Sequence, residues 1–161
     1  MYVPRVERTI RIPPSMLLQP WIGSDFTYDD LVRESSPIED YDHRLLGVDP
    51  HAGPAGDLRA YVVEYRPHPG APVVWGRLLG WIAVERAVPL RTDYFDEEGV
   101  HLRTLTLDDI RPVQGRDVPF HWVMRPLDRP EHRTEVRIEE IRFDANFDDG
   151  IFSRRNLRSR L

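Results

Sequence analysis

The sequence predicts a mainly β protein of the α+β class, built on one curved antiparallel sheet with one or two short helices. Segments rich in β-branched and aromatic residues follow one another, and turn residues separate them. Fifteen of the 161 residues are proline, and nearly all lie between these segments, where a missing N–H breaks no ladder. The chain is long enough for one core and short for two, so residues 1–161 are expected to form a single domain.

Eight segments are predicted as strands. The first alternates basic and apolar residues up to the Pro13-Pro14 pair, as a half-exposed strand does. Three acidic residues followed by Gly99, at positions 96–99, predict a tight hairpin turn, since glycine allows a positive φ. Near the end the apolar residues change face at Glu139 and Glu140, which predicts a β-bulge there. The predicted strands are residues 2–12, 41–48, 58–66, 73–85, 90–95, 100–110, 118–127 and 133–143.

One early segment carries the signals of a helix start. Thr27 can cap a short helix, and Asp29 and Asp30 then lie in its first turn, where the helix dipole favours negative charge. Trp21 and Phe26 give the segment an apolar side. We therefore expect a capped helical turn fixed to the core, in which Asp25 and Asp30 are structural. Loss of such a cap or dipole contact costs about 0.5–2 kcal/mol.

Composition excludes several classes of function. The net charge of −5 leaves no basic surplus for phosphates, so no nucleic acid is expected as a partner. Every basic residue is arginine, which excludes lysine Schiff bases, and cysteine is absent, which excludes disulfides and thiolate chemistry. No apolar segment approaches the roughly 18 residues that a membrane helix needs.

Catalytic and metal-binding patterns are weak. The six histidines are scattered and show no short ligand spacing, and no serine stands in a Gly-x-Ser-x-Gly elbow. The acidic turn around Asp96 lacks the alternating oxygen ligands of a calcium loop. The sequence therefore predicts no enzyme, no metal and no cofactor.

Two apolar stripes mark the predicted sheet. In residues 73–85 and 118–127, large side chains recur at every second position and so share a face. They either fill a core or line a ligand cavity, for which width and adaptable side chains suffice. Arg77, on the side of the first stripe, either meets a headgroup or pairs with an acid, whereas His121 and Arg125 are expected to face solvent. The predicted cavity residues are Trp75, Leu79, Trp81, Phe120, Trp122 and Met124, with Ala83 and Val118 beside them.

Four sequence pieces occur in a recognisable order. The first is the motif Gly23-Ser24-Asp25-Phe26-Thr27-Tyr28-Asp29-Asp30-Leu31. The others are residues 88–91 with 94–107, the Gly115-Arg116-x-x-Pro119 element, and residues 152–157 with Phe-Ser-x-x-Asn-Leu. Together they resemble the bacterial outer membrane lipoprotein-sorting protein family, which is LolA-like. The motif residues that carry the resemblance are Gly23, Ser24, Asp25, Phe26 and Asp30.

The resemblance implies an unclosed half-barrel whose helical lid covers a hydrophobic cavity. It implies a periplasmic carrier that binds acyl chains of lipids or lipoproteins, involved in outer membrane lipoprotein sorting, with a membrane transporter as a further partner. It also implies that the chain is the C-terminal portion of such a half-barrel. The alternatives are a small-molecule-binding or enzymatic half-barrel, or an accessory protein of a lipid transporter. An apolar interior favours the carrier, and convergent acid, base or arginine groups favour a catalyst.

A homodimer is a further expectation. A sheet that lacks its first strands exposes backbone groups along residues 2–12, and a second copy can pair with that edge. Arg5, Arg8 and Arg11 oppose a flush antiparallel pairing, because like charges across a ladder repel. We therefore expect a dimer with an offset register, or one that uses apolar cavity surface.

Overall fold

Seven consecutive strands pair in chain order to form one antiparallel sheet that does not close. This is a computed structural model, and it describes residues 2–3, 8–9, 16–32, 36–53, 58–146, 148–153 and 156. Each strand therefore lies antiparallel to the next one along the chain. The predicted class, a mainly β fold with a curved antiparallel sheet and short helices, is confirmed.

The elements are numbered in chain order. The first two strands, β1 (Tyr2–Val3) and β2 (Arg8–Thr9), form a separate small sheet. The helical elements are a 3-10 turn at Trp21–Gly23, α1 (Tyr28–Val32), α2 (Ser36–Glu39) and a 3-10 turn at Asp149–Phe152. The large sheet comprises β3 (Tyr41–Ala52), β4 (Leu58–Pro67), β5 (Arg77–Ala83), β6 (Pro89–Phe95), β7 (His101–Val113), β8 (Arg116–Pro126) and β9 (Thr134–Arg137).

The prediction of one strand over residues 2–12 is wrong in the part that the structure describes. Tyr2 pairs with Thr9 and Val3 with Arg8, so β1 and β2 form a hairpin on themselves. The remaining residues of the predicted strand, including Arg5 and Arg11, lie outside the described residues. A dimer along that edge therefore has no long strand to use in the described part, and a homodimer stays a prediction that light scattering can check.

The strand predicted over residues 73–85 begins only at Arg77. Pro72 has no N–H to donate, and the Val73 N–H bonds the Ala71 carbonyl at 2.8 Å, so the segment before Arg77 is a turn. A Cβ on Gly76 would overlap the Asp96 carbonyl oxygen, so only a glycine permits this close approach of two backbones. Trp75 therefore precedes the strand and does not share a face with Trp81.

The bulge predicted at Glu139 and Glu140 is also wrong. β9 ends at Arg137, and the Ile138 N–H donates to the Phe120 carbonyl at 2.9 Å. Beyond that bond the chain leaves the ladder, so there is no pairing in which a bulge could form. The register shifts lie instead at Leu45/Gly47 and Asp49/Ala52 in β3, at Trp81/Ile82 and at Tyr94/Phe95.

The predicted hairpin turn at residues 96–99 is present. The Gly99 N–H donates to the Asp96 carbonyl at 3.2 Å, and the Asp96 carboxylate accepts from the Val100 N–H at 2.7 Å. Gly99 has a φ of 83°, which a glycine adopts without a Cβ clash. The final motif is only partly visible, because residues 154, 155 and 157 lie outside the described residues.

The predicted capping residues form a reciprocal cap at the start of α1. The Thr27 N–H donates to Asp30 Oδ2 at 2.7 Å, and the Thr27 hydroxyl receives the Asp30 N–H at 3.4 Å. This is the logic of a capping box, with aspartate in the place of the usual glutamate. Asp29 and Asp30 lie in the first turn, as predicted. Residues 20–32 form a segment that we call the lid.

Two aspartates attach the lid to the sheet. The Arg103 guanidinium of β7 donates to both Asp30 carboxylate oxygens, at 2.8 and 2.6 Å. The Thr134 hydroxyl of β9 donates to the Asp25 carboxylate at 2.8 Å, and the Asp25 N–H donates back to that hydroxyl at 2.8 Å. The lid is therefore held at two strands, through an ion pair and through a reciprocal pair of hydrogen bonds.

The lid covers one of the two faces of the sheet. The lid face carries the side chains that share a register with Arg103, and the opposite face carries the alternate positions. On the lid face, Tyr41, Trp75 and Leu78 form a buried cluster. A second buried cluster contains Ala52, Ala60, Ala83, Val88 and Leu90, with Trp81 packed against it.

Replacing Asp30 with alanine should destabilise the protein by about 3–5 kcal/mol, because Arg103 is left buried without its carboxylate. This exceeds the cost of losing a cap alone. Denaturant unfolding measures the loss. The control is Glu85→Ala, which removes an exposed partner of Arg59 and should change stability far less. Equal losses in the two variants would contradict the role given to the Asp30–Arg103 pair.

Candidate functional site

The structure contains two large cavities that share the sheet as a wall. The lid cavity has a volume of about 470 Å³ and lies between the lid and the lid face. Its wall is mainly aromatic and aliphatic. The lid contributes Trp21, Phe26 and Leu31, and the sheet and its connections contribute Tyr41, Tyr65, Trp75, Leu78, Tyr94, Leu105, Trp122 and Val136.

The charges near the lid cavity are confined to one side. Asp29 and Asp30 line it from α1, and Asp30 is held by Arg103. The Arg103 guanidinium carbon lies 4.3 Å from the ring centres of both Trp75 and Tyr94, so the cation is enclosed by aromatic faces. Burial raises the pKa of Tyr94, which keeps its phenol neutral. The rest of the wall offers apolar surface.

The second cavity, lined mostly from the opposite face, is polar. Its volume is about 550 Å³. We call it the polar cavity, because arginine, aspartate, glutamate and histidine side chains alternate with a few apolar ones along its wall. The polar side chains are Asp49, Arg91, Thr106, Asp108, His121, Arg125, Arg133 and Glu135, and the apolar ones are Ala52, Trp81, Leu90, Leu107 and Val123.

His121 is held between two carboxylates in this wall. Its Nδ1 lies 2.8 Å from Asp108 Oδ1, and its Nε2 lies 3.5 Å from Glu135 Oε2. The prediction that His121 faces solvent is wrong, since only 16% of its side chain is exposed. Hydrogen bonds from Arg133 and then Arg137 lower the pKa of Glu135. The predicted exposure of Arg125 is correct.

Two further carboxylates are buried on the opposite face. Asp93 receives two hydrogen bonds from Arg91, at 2.8 and 2.6 Å, and one from the Thr104 hydroxyl at 2.7 Å. Glu64 accepts from Arg44 and Arg66. The Arg77 guanidinium also lies 3.9 Å from Glu64, so of the two roles predicted for Arg77 the structure has the pairing with an acid.

The structure separates the six predicted cavity residues. Trp75 and Trp122 line the lid cavity, and Trp81 lines the polar cavity. Leu79 pairs with Asp93 and so lies on the opposite face. Met124 is fully buried on the lid face and Phe120 is 6% exposed beneath Arg111, so both are core residues. A ligand contact by any of the six stays a prediction.

The motif residues all serve the lid. Gly23 has a φ of 76°, and the Ser24 hydroxyl donates to the Trp21 carbonyl at 2.7 Å. Phe26 is 7% exposed and reaches the cavity wall. Asp25 and Asp30 make the contacts with β9 and β7 described above. The motif therefore encodes a closed loop and its attachments.

Sequence reasoning missed most of the sheet side of the lid cavity. Tyr41, Tyr65, Leu78, Tyr94, Leu105 and Val136 were not predicted to line it. A signal exists for part of the set, because register partners share a face: Leu78 opposes Tyr94, and Trp122 opposes Val136. These pairs can be recognised only when the strand register is known, and the β-bulges shift that register.

In the part of the chain that the structure describes, no three His, Asp or Glu side chains are grouped so as to hold a metal ion. Within the same residues, no helix has the length and apolarity to cross a membrane.

The fold is that of the LolA-like proteins, as the motifs predicted. A domain from Vibrio parahaemolyticus, named as a candidate outer membrane lipoprotein-sorting protein, is 23% identical with a TM-score of 0.84, over 98% of this chain and 64% of that one. A DUF1329 family protein from Desulfovibrio piger is 20% identical with a TM-score of 0.86, over 97% and 62%. A LolA superfamily protein from Nitrosomonas europaea is 18% identical with a TM-score of 0.64, over 96% and 66%.

The chain belongs to the family whose model, described as that of an uncharacterized protein, matches residues 1–159. No curated protein matches the sequence significantly. At these identities the solved structures establish the fold alone. The chain also spans less than two thirds of the length of the Vibrio and Desulfovibrio proteins.

Replacing Glu64 with glutamine should lower the stability by about 1–3 kcal/mol at neutral pH, because a buried, hydrogen-bonded charge is lost. The hydrogen bond from Arg66 lowers the pKa of Glu64 from its ordinary 4.5. Its carboxylate therefore stabilises the fold above about pH 4.5, and this contribution is lost as the pH falls through the lower folded value.

The difference in melting temperature between wild type and Glu64→Gln should therefore narrow as the pH is lowered below 4.5. Melting curves across this range measure it. Glu131→Gln, at an exposed position, is the control and should follow the wild type. A difference that is constant with pH would mean that the carboxylate charge is not the cause.

Proposed function

We propose that this protein binds the acyl chains of a lipid or lipoprotein in the lid cavity, as a carrier and not as an enzyme. The observation that carries the proposal is the apolar wall of this cavity of about 470 Å³. The volume lies within the roughly 300–1,000 Å³ usual for ligand pockets. The wall offers few groups that could orient a polar substrate, whereas a hydrocarbon chain needs only width and removal from water.

The hydrophobic effect sets the expected affinity. Each buried methylene contributes about 0.8 kcal/mol, so two more methylenes strengthen binding about 15-fold until the cavity is full. Aromatic side chains such as Trp75 and Trp122 supply much of the area that would contact the chain. The lid remains attached through Asp25 and Asp30, which lie at its contacts with the sheet and leave the apolar wall free for a ligand.

Similarity to proteins of known fold supports the same class. One of the similar structures is named for outer membrane lipoprotein sorting and another for the LolA superfamily. By that analogy the carrier works in the periplasm, in lipoprotein sorting, and exchanges its cargo with a membrane transporter. We further propose that residues 1–161 form a single domain of this half-barrel class; they cover 64% of the Vibrio protein.

The test is a titration with fatty acids of increasing length, followed by native mass spectrometry. Binding should tighten with chain length and then level off. Val136→Trp, which places bulk in the cavity wall, should weaken binding at least tenfold. The matched control is Arg137→Trp, the same substitution at an exposed position on the other face of β9. Lipid extraction from protein purified from cells then identifies the cargo.

Two results would contradict the proposal. One is a protein that stays free of lipid after incubation with fatty acids and phospholipids. The other is binding that Val136→Trp and Arg137→Trp reduce equally, because the ligand would then lie outside the lid cavity.

A further inference from the structure

Within the described residues, one cation in the wall of the polar cavity has no carboxylate paired with it. Among the residues that the structure describes, the other charged side chains of its wall are paired: Arg91 with Asp93, His121 with Asp108, and Arg133 with Glu135. The carboxylate of Asp49 accepts from the Trp81 indole N–H at 3.2 Å. Arg125 alone in this wall has no hydrogen bond or ion pair to a described residue, and its guanidinium is free to bind a ligand.

An apolar ring lines the same cavity as this cation. Val123, two residues before Arg125 on β8, projects from the same face but is only 3% exposed, so it belongs to the packed floor of the cavity. Trp81 adds a large apolar ring to the same wall. Its position is fixed, because Asp49 accepts from the indole N–H and the Arg91 guanidinium lies 4.6 Å from the ring centre. Trp81 and Arg125 line one cavity of about 550 Å³, so a molecule with an apolar end and an anionic end can meet both.

We propose that the polar cavity binds an amphipathic anion, with its phosphate or carboxylate on Arg125 and its apolar part on Trp81. A guanidinium presents paired N–H donors that match the oxygens of both anions. Of the three acids in the described part of this wall, Asp108 and Glu135 are already paired with His121 and Arg133, and Asp49 accepts the Trp81 indole N–H. The site is distinct from the lid cavity, because Val123 and Trp122 project from opposite faces of β8.

The four tryptophans make the two cavities separately observable. Trp81 lines the polar cavity, and Trp21, Trp75 and Trp122 line the lid cavity. Their indole N–H groups give four signals in a ¹⁵N–¹H spectrum, which single Trp→Phe variants assign. The probes are decyl phosphate below its micelle concentration, inorganic phosphate and decanol.

Decyl phosphate should shift the Trp81 signal at a lower concentration than either other probe does. Arg125→Ala should weaken this response at least tenfold, and Arg125→Lys less. Arg142→Ala is the control, because Arg142 is exposed, pairs with Glu140 and lies outside the polar cavity. A thermal melt of each variant verifies that it is folded.

Each result that differs from these expectations contradicts a particular part of the proposal. An unmoved Trp81 signal, or an unchanged response in Arg125→Ala, overturns it. Equal binding of inorganic phosphate identifies a free-phosphate site and contradicts the apolar part, and equal binding of decanol contradicts the anionic part. A Trp81 response without any response of Trp75 and Trp122 would support this site while contradicting the acyl-binding lid cavity.

Discussion

The ion pair between Arg103 and Asp30 is the interaction on which the lid depends. Both side chains are largely removed from water, at 6% and 13% exposure, and burying them carries a desolvation cost. Several contacts offset it: two charge-assisted hydrogen bonds, the aromatic faces of Trp75 and Tyr94, and a bond to the Asp25 carbonyl at 3.3 Å. Asp30 also caps α1, so one carboxylate joins the local helix start to a strand distant in sequence.

This arrangement explains how an apolar cavity can persist in a small protein. An apolar sheet face that is left uncovered tends to associate with other molecules. A lid held only by hydrophobic contacts would settle into the space below it. Polar attachments at Arg103 and at Thr134 fix its position at two strands, and the wall between them stays apolar.

The two faces of the sheet carry different chemistry because side chains alternate along each strand. On β8, Trp122 and Met124 face the lid, whereas His121 and Val123 face the polar cavity. From the sequence, an apolar interior is expected in a carrier and convergent charges in a catalyst. The structure has an apolar wall on one face and charged side chains on the other. The proposed acyl-chain site and the proposed anion site therefore lie on opposite faces of one sheet.

Local patterns in the sequence determined the class, the cap and the turns. Thr27 and Asp30 form the predicted cap, Gly99 closes the predicted hairpin, and four sequence pieces in order predicted the LolA-like fold. The cap and the hairpin depend on residues within a few positions of one another, where backbone geometry and short hydrogen bonds decide the outcome.

The tertiary structure alone decided which side chains share a cavity. Period-two alternation placed Trp75 and Trp81 on one face, but the turn before Arg77 removes Trp75 from the strand and places it beneath the lid. The bulge at Trp81/Ile82 and the early end of β9 change the pairing further. A shift of one residue moves a side chain to the other face, so membership of a site depends on register, which arises from pairing across the sheet.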